Sequence, residues 1–173
     1  MLQTTYASPL GQLILLADTS HLLGVWYFDQ THLGANYPLE TIKHGTSPVL
    51  KQTAEWLIAY FNGQKPTIDK LSLAPEATPF RQQVYRVLTT IPYGQTMTYQ
   101  QITERLSELN GHPTGSARAV GGAVGHNPIS IIIPCHRVVG SNGSLTGYAG
   151  GLARKKGAVS AGTGLNAVNC NIQ

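Results

Sequence analysis

Thr98-Tyr99-Gln100-Gln101, followed by Ser116-Ala117-Arg118-Ala119-Val120-Gly121-Gly122-Ala123, decides how the second half of this chain folds. Thr98 and Gln101 have the spacing of a capping box, which predicts a helix over residues 99–109. Residues 110–115 read as a loop. Ser116 then caps a further helix running to about residue 125, before Asn127-Pro128. Two successive helices across a loop imply a helix-turn-helix variant, with a loop longer than the usual stretch of about 3–4 residues. The second helix consists mostly of small residues. Glycine inside a helix costs about 1 kcal/mol, so Gly121 and Gly122 imply that something packs closely against the backbone. Either a neighbouring helix or DNA meets that requirement. Arg118 is the one long side chain in the first turn. It reads as a solvated surface arginine or, in a recognition helix, as a residue placed to enter a groove.

Working outward, Thr78-Pro79 opens a helix with Phe80, Val84, Val87, Leu88 and Ile91 on one face, and Pro92-Tyr93-Gly94 turns the chain. Residues 64–79 hold Pro66, Pro75 and Pro79 around a short strand at 71–73, and mark the domain boundary. Further upstream, residues 12–17 and 22–28 are apolar and rich in β-formers, punctuated by Ser8-Pro9 and Asp18-Thr19-Ser20. A helix follows, with Ser47 as N-cap, Pro48 in first position, and Leu50, Ala54, Leu57, Ile58 and Phe61 at helical spacing. Asn62-Gly63 stops it. Downstream, residues 130–133 read as a short buried strand, and residues 140–151 carry five glycines and read as loop. There is no internal repeat.

The chain has 173 residues, 42% hydrophobic and 12% charged, enough for one domain or two small ones with a core of their own. Its two cysteines cannot make a disulfide framework, and there is no CxxC pair for zinc or redox work. The start lacks the features of a secretory signal, and no segment reaches the length of a membrane span. A soluble monomer in the reducing cytoplasm is expected. The net charge of +4 is unevenly spread. Residues 1–79 hold four lysines against six acids, whereas residues 80–173 hold eight basic residues against only Glu104 and Glu108. The asymmetry favours a polyanion partner for the C-terminal half, nucleic acid first, against the plainer reading of a soluble basic surface.

Pro134-Cys135-His136-Arg137 is the most chemically loaded stretch. A thiol reacts as thiolate, which neighbouring Arg, imidazolium or a helix N-terminus favours; a buried inert cysteine is the plain alternative. Adjacent side chains on a straight strand point to opposite faces. Cys135 and His136 therefore need a chain bend after Pro134, or a water between them.

These residues, with Thr78-Pro79-Phe80, Ile91-Pro92-Tyr93-Gly94, Thr98-Tyr99, Ala117-Arg118-Ala119-Val120-Gly121, Asn127-Pro128, Pro134-Cys135-His136-Arg137-Val138-Val139 and the run from Gly143 to Gly151, resemble the O6-alkylguanine-DNA alkyltransferases, also called methylated-DNA–protein-cysteine methyltransferases. The match is specific over residues 78–156 and looser over 1–77. The resemblance implies an α/β protein, with a ribonuclease-H-like N-terminal αβ domain (1–77), a mostly helical domain with a helix-turn-helix (78–156), and an atypical tail (157–173). It implies DNA repair by irreversible, single-use transfer of an alkyl group from O6-alkylguanine, with O4-alkylthymine as a second candidate substrate, to Cys135. The partner implied is double-stranded DNA containing the alkylated base, entered through the minor groove. By resemblance, His136 takes the thiol proton through a water, Tyr99 rotates a phosphate and protonates the departing guanine, and Asn127 orders the site. Arg118 fills the gap left by the extruded nucleotide, Gln100 also meets DNA, and Val138, Tyr148 and the backbone of Ala149 line the base pocket. No cofactor and no metal are expected, since His21, His32 and His44 have no ligand spacing and read as surface residues.

The tail departs from the family. Gly162 stands where the family has a glutamate that orients the histidine, and three glycines in residues 157–164 argue against a helix there. No acid follows Glu108, so only Glu104 or Glu108, brought close in space, could substitute. Loss of the carboxylate and of the helix predicts slower transfer and lower stability. It keeps open a second reading, a protein that binds alkylated bases with impaired or absent transfer. A cysteine hydrolase with His136 as base is a third reading, marked by turnover of an ester or peptide. Cys170 reads as a free surface thiol.

Overall fold

The computed structural model describes residues 1–163; Cys170 lies outside them. The chain opens with three antiparallel strands in the order β1 (Leu2–Ser8), β2 (Gly11–Ala17) and β3 (Leu22–Tyr27). The first of these was not anticipated. Its residues alternate between buried or half-buried and more exposed positions, a weak pattern beside the continuous apolar runs of its neighbours. Asp18 makes the second turn, its carboxylate accepting from the amides of Ser20 (2.7 Å) and His21 (2.6 Å). All six residues of β3 are buried because both faces are covered. Leu13, Leu15, Val25 and Tyr27 join the main core, while Leu16, Leu23 and Trp26 pack under Tyr37, Leu39 and Ile42.

The outer edge of β3 is not left open. It takes parallel bridges from Leu73 and from Ile129, which removes a ready template for pairing with another chain. The expected strand at 71–73 is thus a single bridge at Leu73. The bridge at Ile129 ties the N-terminal sheet to the segment that leads to Cys135.

Helix α1 (Pro48–Phe61) starts as expected, with the Ser47 side chain accepting from Leu50 N. Its inward face is rotated from the expected one. Leu50, Thr53, Trp56, Leu57 and Tyr60 are buried, whereas Ile58 is half exposed. The two aromatic residues can face inward because their polar tips find partners: Trp56 Nε1 donates to Thr67 O at 2.8 Å, and the Tyr60 hydroxyl is bonded in the site.

Helices α2 (Pro79–Thr89), α3 (Tyr99–Asn110) and α4 (Ala117–Gly125) pack against one another. Thr78 caps α2, Thr98 and Gln101 complete the reciprocal capping box of α3, and Ser116 caps α4, all as the sequence predicts. Gly111, at φ +70, closes α3 in the left-handed conformation that glycine adopts freely. A two-residue parallel ladder joins β4 (Met97–Thr98) to β5 (Val138–Val139), tying the start of α3 to the segment just after Cys135.

The C-terminal expectation needs correction. Residues 152–163 form a helix, α5 (Leu152–Thr163), despite its glycines. A Cβ on Gly157 would lie 2.4 Å from Leu10 Cδ2, so glycine lets this helix lie directly on the β1–β2 turn. Arg154 reinforces the contact, donating to Leu10 O (2.9 Å) and pairing with Asp29 (2.6 Å) across the face of Tyr27.

Candidate active site

Asn127, just past the end of α4, organises the loop that carries the cysteine. Its Oδ1 accepts from Ile129 N (3.0 Å), and its Nδ2 donates to Ile133 O (2.9 Å). The clamp folds residues 127–133 back on themselves. Ile131 is held at φ +72, a conformation that a β-branched residue takes up only under constraint. The expected strand at 130–133 is therefore a turn. Its apolar side chains are buried and Ser130 N donates to Val25 O on β3 (2.9 Å), but beyond that one bond the backbone turns inward, Ile132 N and Ile133 N bonding within the loop and the Ile133 carbonyl accepting from Asn127.

Beyond Pro134, Cys135–Arg137 form one 3-10 turn, which supplies the bend required after the proline. Asn127 Nδ2 also donates to Cys135 Sγ at 3.0 Å. Cys135 as a whole is 3% exposed. Burial pushes the thiol above its ordinary range. The Asn127 amide, the Lys155 charge and backbone bonds from Cys135 and His136 pull it back toward ionisation. At rest it is held as a thiol beside groups that welcome the thiolate.

His136 is fully buried. Its Nε2 lies 3.0 Å from the hydroxyl of Tyr60, and Nδ1 is buried without a protein partner. Burial, aided by the cations Arg137 and Lys155, lowers its pKa to about 3, so the ring is neutral at physiological pH. Neither Glu104 nor Glu108 approaches it: Glu104 bonds Gln100 at 3.1 Å, and Glu108 pairs with Arg105 at 3.0 Å, both on exposed α3.

Of the other candidate residues, Tyr99 donates its hydroxyl to Thr146 O at 3.1 Å. The same carbonyl is held at 2.7 Å by Lys155 Nζ. Tyr148 meets Tyr27 edge-on, ring centroids 6.4 Å apart, and a Cβ on Gly150 would strike the Tyr27 ring at 2.7 Å. Val138 is fully buried in the ladder with Met97, and Ala149 O accepts from Thr31 N at 3.2 Å. Arg118 and Gln100 are exposed on α4 and α3, outside the buried group around the sulfur. Two participants escaped the sequence reading. Tyr60 lies 76 positions from His136, and Lys155 had counted only toward the basic charge, although its fully buried ammonium acts on the sulfur. Among the described residues no three His, Cys, Asp or Glu side chains cluster in a way that could hold a metal ion. No described helix is long and apolar enough to cross a membrane.

An αβ sheet domain, a capped helix-turn-helix pair and a buried cysteine on a 3-10 turn together define a helix-turn-helix protein of mixed α/β class with a thiol at the centre of its candidate site. Comparison gives the family. Residues 1–75 match the ribonuclease-like domain, and residues 79–161 the DNA binding domain, of 6-O-methylguanine DNA methyltransferase. The methylated-DNA–protein-cysteine methyltransferase of Shigella flexneri is 40% identical over 162 residues, covering 90% of this chain and 92% of that protein. That of Mycobacterium bovis is 41% identical over 152 residues, covering 88% and 86%. The crystal structure of Mycobacterium tuberculosis OGT in complex with DNA superposes with a TM-score of 0.81 at 38% identity, covering 96% of each chain. This chain belongs to the 6-O-methylguanine DNA methyltransferase family.

Proposed function

We propose that the protein repairs double-stranded DNA by moving the alkyl group of O6-alkylguanine onto Cys135, once per molecule. The observation that carries this is the Asn127–Cys135 contact at 3.0 Å, on a loop whose backbone Asn127 also shapes. A sulfur merely filling a core would not need an amide donor. The thiol gives up its proton to the neutral imidazole of His136, and Asn127 and the Lys155 charge favour the thiolate. Sulfur then attacks the alkyl carbon. The sulfur–carbon bond forms, the carbon–O6 bond breaks, and the electron pair passes to guanine, which takes up a proton. Tyr99 is the proposed source of that proton; its hydroxyl would exchange the Thr146 carbonyl for the base. The thioether is stable and no second nucleophile is supplied, so the reaction stops at one turnover.

The target base must leave the duplex, at an unstacking cost of a few kcal/mol. Exposed Arg118 is the proposed plug for the gap, Gln100 a further DNA contact, and Val138, Tyr148 and the Ala149 backbone the proposed base pocket. The small face of α4 supports close approach. A Cβ on Gly121 would meet only Tyr99 at an ordinary 3.8 Å, and one on Gly122 would meet nothing within 4 Å. Packing inside the protein therefore does not require these glycines. The reduced thiol suits the cytoplasm, and one chain carries every proposed participant, consistent with a monomer.

Incubation with duplex containing O6-methylguanine, followed by intact-mass and peptide analysis, tests the reading. The expected result is one methyl group on the Cys135 peptide and none on Cys135→Ser; a duplex with O4-methylthymine tests the second substrate. Tight, lesion-selective binding with no gain in mass would establish the binding-only alternative instead.

A further inference from the structure

Tyr60 belongs to α1, far in sequence from the reactive loop, yet its hydroxyl sits inside the site. The ring is immobilised: it is 1% exposed, stacks on Trp56 at 5.4 Å and 16°, and meets Phe61 edge-on. Oη lies 2.8 Å from the carbonyl oxygen of Ala158 on α5 and 3.0 Å from His136 Nε2. A carbonyl can only accept, and two oxygens at that separation repel unless a proton lies between them. The single hydroxyl proton is thus committed to Ala158. Toward the histidine, Oη can only accept, so Nε2 carries the hydrogen. A neutral ring has one N–H, which leaves Nδ1 with a lone pair.

Nδ1 is the nitrogen that is buried with no protein partner. The charged groups acting on the ring are Arg137 and Lys155, both cations, and the Tyr60 hydroxyl is its hydrogen-bonding partner at Nε2. Among the described residues no carboxylate acts on the ring to fix the tautomer. We infer that the Tyr60 hydroxyl is the positioning group of this site: by accepting from Nε2 and donating to Ala158, it makes Nδ1 of His136 the base for the Cys135 thiol. Because Sγ is bonded to Asn127 rather than to the ring, the proton travels from Sγ to Nδ1 through one bridging water. Proton and charge balance: thiol and neutral imidazole become thiolate and imidazolium. The imidazolium still donates Nε2–H to Tyr60. This assignment rests on the alkyl-transfer reading and gives that reading an orienting group for its base. It also makes the docking of α1 and α5 against the loop a condition of chemistry.

The test uses the full chain with 15N-labelled histidine, the His136 signals being assigned against His136→Gln. In the wild type at neutral pH, Nε2 should resonate as a protonated nitrogen and Nδ1 as an unprotonated one. Tyr60→Phe keeps the ring and its stacking but loses Oη. Its nitrogen signals should move toward an average of the two tautomers. Methyl transfer in a single turnover should slow on the order of tenfold or more, the usual effect of removing the partner that orients a functional histidine, while affinity for DNA stays unchanged. A purely structural tyrosine would alter stability and leave the nitrogen pattern alone. A wild-type ring protonated at Nδ1, or a Tyr60→Phe protein that transfers at the wild-type rate, overturns the inference. Should Tyr60→Phe fail to fold, the wild-type nitrogen pattern alone decides. Should the wild type leave the alkyl group on DNA, the functional reading fails while that pattern still judges Tyr60.

Discussion

His136 shows how burial without a counter-ion works in both folding and chemistry. Its pKa is displaced to about 3, from an ordinary value of 6.5, by loss of solvent and by the cations Arg137 and Lys155. The unfolded chain takes up a proton near pH 6.5 and the folded chain does not until about pH 3. Acid therefore favours unfolding: the stability is complete above pH 6.5 and is lost progressively as the pH falls toward 3. The slope from this one group reaches about 1.4 kcal/mol per pH unit. Asp18 and Asp29, whose pKa values are lowered mainly by backbone hydrogen bonds and by Arg154 respectively, add their own loss only at more acid pH. Denaturant unfolding between pH 4.5 and 6.5 should show the histidine slope in the wild type and a shallower one in His136→Gln. Equal slopes would mean that the imidazole is solvated in the folded protein. The same displacement keeps the ring unprotonated at neutral pH, which a base must be. The candidate cysteine and its histidine were visible in the sequence because they are adjacent. Tyr60 was not, since only tertiary packing of α1 sets an aromatic side chain from position 60 beside position 136.

At the scale of elements, what could be read was local. The caps at Ser47, Thr78, Thr98 and Ser116 are bonds between residues three apart, and each forms as expected. The readings that failed depend on distant partners. Residues 130–133 look like a strand until Asn127 claims the Ile133 carbonyl and folds the segment back. The glycines of α5 look like helix breakers until Leu10 fills the space above Gly157. Helix α4 raises the same question about glycine with the opposite outcome. Gly122 is exposed within α4 and has no neighbour that a Cβ would touch. Gly122→Ala should therefore raise stability by up to about 1 kcal/mol, since alanine is the better helix former. If α4 seats its small face close to DNA, the added methyl group should weaken binding at the same time. Thermal unfolding and a DNA titration on one sample separate the two effects. A stabilised protein that binds DNA as the wild type does would remove close approach as the reason for this glycine.

Across the whole molecule, charge is divided between the two regions that the family models match, residues 1–75 and 79–161. The acids lie mainly in the first, whereas the second is strongly basic. Arg154 and Asp29 turn that polarity into a docking contact at 2.6 Å, but Asp29 remains largely exposed. An exposed pair of this kind contributes little stability, so the packing of α5 on α1 and on the β1–β2 turn, with the Ile129 bridge to β3, must supply most of the adhesion. Arg86 and Arg118 stand exposed on α2 and α4, where a polyanion can reach them. Binding to duplex DNA should weaken as salt rises, with log K falling by about 0.9 per log unit of salt for each phosphate neutralised. This slope distinguishes two roles for Arg118. An arginine held on a phosphate contributes to it, and Arg118→Ala would then flatten the slope by about 1. An arginine inserted in place of an extruded base contributes mainly by filling space. Arg118→Ala should then reduce affinity for alkylated duplex and slow methyl transfer while leaving the slope on undamaged duplex unchanged. The second outcome is expected, because Arg118 stands in the first turn of a helix whose neighbouring residues are too small to hold a groove open by themselves.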